Sequence, residues 1–202
     1  MPNIVEKMTL NYSPNFGLKR RIKSDIKYLI FHYTGMRNDE SAIEKLTNIN
    51  SMVSCHYYID QKGQVIQMVP DLYVAWHAGK SKWGNVNSLN YKSIGIEISN
   101  PGHKHGYKKF SDKQIKTLIK ISKFLIKKYK INKNNILGHS DIAPLRKKDP
   151  GEKFPWKKLS KFKLGVWYKN IENYSDRNKN EGHNKISFFK NLHKIGYRYF
   201  QI

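Results

Sequence analysis

Residues 26–34, IKYLIFHYT, decide how this chain folds. The run is apolar and rich in β-favouring side chains, so it reads as a buried strand. His32 sits at its C-terminal end, followed by Thr34 and Gly35. Working outward, residues 39–49 (DESAIEKLTNI) read as a short helix with Asp39 as N-cap. VSCHYYID (53–60) and QVIQMVP (64–70) flank Lys62 and Gly63 and read as a hairpin. Residues 71–93 are rich in Trp, Gly, Ser and Asn and read as a long loop over a site. IGIEIS (94–99) is a second strand, with Gly95, Glu97 and Ser99 on one face and the isoleucines on the other.

The clearest helix spans about 112–130. Ser111 and Gln114 fit a capping box. Ile115, Leu118, Ile119, Leu125, Ile126 and Tyr129 recur at helical spacing along one face, with lysines mostly on the other. NNILGHS (134–140) reads as a short strand ending at His139, and residues 141–156 as a loop punctuated by Pro and Gly. A polar stretch over about 169–185 reads as a linker. ISFFKNLHKIGYRYF (186–200) reads as a short helix, with Phe188, Phe189, Leu192 and Ile195 clustered and Gly196 as its stop. Residues 1–25 read as a loop-like lead-in. Strand, helix, hairpin, loop, strand, long helix and strand in that order imply an α/β fold, a mixed central sheet flanked by helices.

A chain of 202 residues with 39% hydrophobic and 13% aromatic residues can bury a core, in one domain or in one domain plus an appendage. No apolar run is long enough for a transmembrane helix. The N-terminus lacks the apolar stretch of a signal peptide, so a cytoplasmic location is the default expectation, with the bacterial periplasm or envelope as the alternative. The single cysteine, Cys55, excludes an intrachain disulfide and a Cys-rich zinc site. The net charge of +23 would attract an anionic polymer or nucleic acid. Yet the basic residues are mostly lysines spread along the chain, whereas nucleic-acid readers lean on arginine.

Three residue types that bind divalent metals stand in marked contexts: His32 in IFHYTG, His139 in LGHSDIAP and Asp149 in KKDPG. Two imidazoles and a carboxylate leave a fourth zinc position open, as in catalytic rather than structural sites. Spacing alone does not settle the set, because a lone histidine is more often structural than a ligand and His56 could replace any of the three. The HExxH pattern of helix-based zinc proteases is absent.

IFHYTG, VSCHYYID, AWHAG, SIGIEIS, LGHSDIAP and KKDPGEKFPW occur in this order. Together they resemble the type 2 zinc N-acetylmuramoyl-L-alanine amidases of the AmpD/AmiD group, which are similar in fold to T7 lysozyme and the peptidoglycan recognition proteins. The resemblance covers roughly residues 12–160, and GHSDIAP followed by DPG is its specific part. It implies cleavage of the amide between the lactyl group of N-acetylmuramic acid and L-alanine. It also implies one zinc ion held by His32, His139 and Asp149, Glu97 as the catalytic acid-base group, and Lys147 near the scissile carbonyl. His56 is expected near the site without being a ligand, and His56, Trp76 and His77 are expected to contact substrate; Trp83 and Asn85 could line the groove.

The domain division implied is a catalytic domain over 1–160 and an extension over 161–202. The partner implied is peptidoglycan or a muropeptide, with no nucleic acid; the oligomeric state is not legible. A peptidoglycan-binding module that has lost catalysis is the alternative. Relatives of that kind typically lose a ligand, and all three ligand types persist here. Whether the substrate is intact wall or anhydro-muropeptide is left open, because both groups share these motifs.

Overall fold

A computed structural model describes residues 8–168 and 181–199. Its main sheet has six strands in the order β1-β5-β4-β9-β3-β10. These are β1 (Thr9–Leu10), β3 (Tyr28–Tyr33), β4 (Tyr57–Ile59), β5 (Val65–Gln67), β9 (Ser93–Ile98) and β10 (Ile136–Gly138). β4, β9, β3 and β10 run parallel, while β5 runs antiparallel to β4 and carries β1 beside it. The sheet is mixed and flanked by helices, as the sequence implied. Small two-stranded sheets join β2 (Phe16–Gly17) to β6 (Val74–Ala75), and β7 (Lys82–Trp83) to β8 (Val86–Asn87).

Alternation along the central strands divides the molecule into two faces. Leu29 and Phe31 of β3 and Ile94, Ile96 and Ile98 of β9 face α2 (Asp112–Tyr129), which buries Ile115, Leu118, Ile121, Leu125 and Tyr129 against them. Each such aliphatic side chain contributes about 1.5–3 kcal/mol when fully buried. The start of α2 is held by the expected capping box: Ser111 Oγ accepts from Gln114 N at 3.2 Å, and Gln114 Oε1 accepts from Ser111 N at 3.0 Å. Gln114 Nε2 also donates to Ser99 O at 2.7 Å, which ties the helix to the end of β9. The opposite sheet face carries Ile30, packed with Ala78, Leu89, Leu137 and Ile142, and on that face the site forms.

Several expectations are corrected. The N-cap of α1 (Asp39–Thr47) is Asn38, which accepts from Ser41 N at 3.0 Å. Asp39 instead reaches back to the hairpin, accepting from Tyr58 Oη at 2.6 Å and Gln61 N at 3.2 Å. His139 does not end a strand. β10 stops at Gly138, and His139 opens the one-turn helix α3 (His139–Ile142), because Asp141 accepts the Gly138 N–H at 2.7 Å and turns the chain. A further short helix, α4 (Trp156–Ser160), follows FPW.

The last helix, α5 (Glu181–Ile195), starts earlier than the apolar pattern suggests. Its phenylalanines form no buried cluster: Phe188 is 58% and Ile195 63% exposed. What docks is the turn beyond it. Gly84 N donates to Gly196 O at 2.8 Å, Tyr197 stands edge-on to Trp83, and the Tyr197 hydroxyl bonds the Asp141 carboxylate. The linker expected over 169–185 lies mostly outside the described residues.

Candidate metal centre and cleft

The parallel strands deliver three side chains to one place. His32 lies near the C-terminal end of β3, directly opposite Glu97 of β9 in the ladder. His139 follows β10, and Asp149 returns on the next loop, where Ser140 N donates to Asp149 O at 2.8 Å. Parallel sheets bind ligands outside the carboxyl ends of their strands, and this cluster obeys that rule.

His32 Nδ1, His139 Nδ1 and Asp149 Oδ2 form a triangle with edges of 2.9, 3.1 and 3.0 Å. All three residues are buried and form a group able to hold a metal ion. Two facts make the donor set fit a divalent cation such as zinc. Ligands about 2.0–2.1 Å from a tetrahedral zinc lie roughly 3.3 Å from one another, close to these edges. Moreover, one proton can bridge only one edge of such a triangle, whereas a cation satisfies all three donors together.

Burial pushes Asp149 up, but the close imidazoles of His139 and His32 outweigh it and hold the carboxyl well below its usual range. Burial, reinforced by His139, pushes His32 down to about 4, so its ring is neutral and ligand-competent near pH 7.

Glu97 is the other buried carboxyl here. Burial pushes it up to about 8, with Asp149 reinforcing and Lys147 opposing. Its Oε2 is buried and without a hydrogen-bond partner among the described residues. A carboxyl poised near neutrality in a cleft is suited to exchange protons. A cleft of about 430 Å³ opens over the triangle, lined by Tyr33, Trp76, Glu97, His139, Lys147 and Asp149 among others. That volume suits a small organic ligand rather than an ion alone. Its rim is basic, with Lys45, Lys104, Arg146 and Lys148 beside Lys147.

The remaining sequence candidates divide. Trp76 lines the cleft, and His77 lies at its floor, 7% exposed. His56 is not among the residues that line the cleft. It is fully buried, its Nδ1 accepts from Gly95 N at 3.0 Å, and its Nε2 lies 3.1 Å from Tyr73 O and 2.8 Å from Arg21. Trp83 is buried with Leu89 and Ile142 rather than lining the groove.

Sequence reasoning missed Arg21, 1% exposed, which donates to Asp71 O, Tyr91 O and Ser93 O and fastens the long loop behind His56. It sits inside a basic run that gives no sign of burial. Arg146 was also missed; it donates to Ala78 O and Lys80 O, each at 2.8 Å.

A family model described as N-acetylmuramoyl-L-alanine amidase matches residues 22–152. The chain belongs to this amidase family. AmiD of Escherichia coli (strain K12), an N-acetylmuramoyl-L-alanine amidase, is 39% identical over 154 residues, 70% of this chain and 55% of its own length. The chain thus spans about half the length of that relative. A 1,6-anhydro-N-acetylmuramyl-L-alanine amidase, AmpD of Haemophilus influenzae, is 32% identical over 72% of this chain and 86% of its own. The structure of E. coli AmiD complexed with anhydro-N-acetylmuramic acid-L-Ala-D-gamma-Glu-L-Lys superposes with a TM-score of 0.74 at 31% identity, covering 91% of this chain and 77% of that one. The amidase matches of sequence and structure agree with the mixed-sheet architecture. No helix among the described residues is long and apolar enough to cross a membrane.

Proposed function

We propose that this chain hydrolyses the amide between the lactyl group of N-acetylmuramic acid and L-alanine, using one zinc ion per chain held by His32, His139 and Asp149. The observation that carries the reading is the buried His-His-Asp triangle at the floor of a cleft that also contains Glu97 and Lys147. When bound, zinc supplies Lewis acidity toward a carbonyl oxygen and toward water. Glu97 takes the proton of the attacking water and returns it to the departing alanine nitrogen. A group with a pKa near the working pH does both efficiently. The Lys147 ammonium offsets charge developing on the carbonyl oxygen, a contribution of about 3 kcal/mol for one well-placed donor. Trp76 offers an aromatic wall to the substrate.

The substrate class follows from the cleft and from the relatives. A basic rim of Lys45, Lys104, Arg146 and Lys148 favours a peptide bearing carboxylates. AmpD is named for 1,6-anhydro-muramyl substrates, and AmiD is complexed with an anhydro-muramyl tripeptide. Anhydro-muropeptides are therefore the substrates proposed here, with intact peptidoglycan as the larger alternative. The catalytic unit is proposed over residues 1–160 with an extension over 161–202. The test is to incubate the zinc-loaded protein with an anhydro-muropeptide, and in parallel with purified sacculi, with and without a chelator. Free stem peptide is expected only where zinc is retained. No release from either substrate by the zinc-loaded protein would overturn the proposal.

A further inference from the structure

His77 was expected to touch substrate, but both of its ring nitrogens are already engaged. We infer that His77 is a positioning residue: with Ser93 and Leu89 it fixes His32 in the tautomer whose Nδ1 is bare, so that the metal centre is preset before any ion arrives. The inference rests on the metal reading proposed above and goes beyond it to a residue outside the ligand set.

The chain of bonds can be assigned from one fixed end. Leu89 O is a carbonyl and can only accept, and Ser93 Oγ lies 2.7 Å from it, so the serine hydroxyl points its proton there. Ser93 Oγ is then the acceptor for His77 Nε2 at 3.1 Å, and that nitrogen carries the ring proton. A neutral imidazole has one proton, which leaves His77 Nδ1 bare. This atom is 3.0 Å from His32 Nε2, which must donate to it. His32 Nδ1 is therefore bare, aimed at His139 Nδ1 and Asp149 Oδ2.

His139 reaches the same state by a separate route. Its Nε2 lies 3.2 Å from Ala78 O, a second carbonyl, and donates there. Arg146 Nη2 also lies 3.4 Å from His139 Nε2, but its two protons are directed at Ala78 O and Lys80 O at 2.8 Å each, so it does not donate to the ring. Two bare nitrogens and a carboxylate oxygen thus converge with no proton between them. A partner that fixes the tautomer of a metal-binding histidine raises affinity by orienting the ligand.

The surroundings are shaped for this ring. An added Cβ at Gly95 would stand 2.4 Å from His77 Cγ, so glycine is what lets the imidazole lie against β9. Asn90 Oδ1 accepts from His77 N at 3.1 Å and Ala78 N at 2.7 Å, pinning the backbone on both sides of the peptide. His77 also stands edge-on to both His32 and His56, with ring centroids 5.0 and 5.6 Å apart.

Two measurements test the inference. Nitrogen-15 NMR of the metal-free wild-type protein reads the tautomer of His32 directly. Protonation at Nε2 is expected, and protonation at Nδ1 would overturn the proposal whatever the variants do. Zinc affinity is then measured by competition with a chelator for wild type, His77→Leu, His77→Asn and Ser93→Ala. His77→Leu removes the acceptor and should weaken zinc roughly 10- to 100-fold, the range for losing such a partner. His77→Asn, which keeps an oxygen near the Nδ1 position, should recover most of the loss. Ser93→Ala should leave the fold intact and give His32 a mixed tautomer signal. Unchanged zinc affinity in His77→Leu, or an unmixed Nε2–H signal in Ser93→Ala, contradicts the relay. If wild type itself takes no zinc, the metal reading fails instead, and the two failures are distinguished.

Discussion

Replacing Gly95 by alanine is the sharpest small perturbation this structure offers. The new methyl group would meet His77 Cγ at 2.4 Å and Cδ2 and Nδ1 at 2.6 Å. Carbon contacts relax near about 3.5–4.0 Å, so the ring must withdraw by roughly 1 Å. Its bonds to His32 and Ser93, at 3.0 and 3.1 Å, would both stretch beyond hydrogen-bonding reach. Overpacking costs about 1–3 kcal/mol, and each buried hydrogen bond lost adds about 1 kcal/mol. The total is about 3–5 kcal/mol, which for a chain of this size corresponds to a fall in Tm of roughly 6–20 °C.

The assay is thermal unfolding in chelator, followed by zinc titration of the same samples. Gly17→Ala is the control, since its added Cβ would find nothing closer than 3.4 Å and should be nearly neutral. Gly95→Ala should melt early and bind zinc weakly, while Gly17→Ala should do neither. A Gly95→Ala protein with wild-type Tm and wild-type zinc affinity would refute the packing argument and the relay built on it.

Other predictions concern neighbouring groups. Glu97→Gln should retain zinc by elemental analysis and lose roughly 10²–10⁴-fold in turnover, the scale of acid-base catalysis. In the metal-free protein, Glu97 holds its proton up to about pH 8, whereas the unfolded chain releases it near the ordinary value of 4.5. Its contribution therefore makes stability fall as pH rises across that window. Histidines titrate there too, so the Tm difference between wild type and Glu97→Gln isolates this slope; a difference constant with pH contradicts the assignment. Tyr197→Phe removes the hydroxyl that bonds Asp141, next to the turn carrying His139. It should cost about 1–2 kcal/mol, read as a lower Tm.

Long elements were legible because periodicity needs length to show. β3, β9 and α2 carry apolar repeats through several residues, and the capping box of Ser111 and Gln114 marks where α2 begins. The loop over 71–93 hid its two-residue strands, since two residues carry no period. His56 and His77 could not be told apart by sequence. Both lie in motifs beside aromatic residues, yet one is sealed behind Arg21 and the other orients a candidate ligand. The apolar cluster near the C-terminus marked a helix and its stop at Gly196, but not that Gly196 and Tyr197 beyond it would dock against Gly84 and Trp83.

The central claim is that water cleaves one particular amide at the His32–His139–Asp149 centre. It is tested most directly by running the zinc-loaded protein on an anhydro-muropeptide in oxygen-18 water and analysing both products by mass spectrometry. The account predicts one heavy oxygen in the lactyl carboxylate of the muramyl fragment, and a stem peptide with a free, unlabelled L-alanine amine. Label in the peptide fragment, or an intact muropeptide with zinc bound, would contradict it.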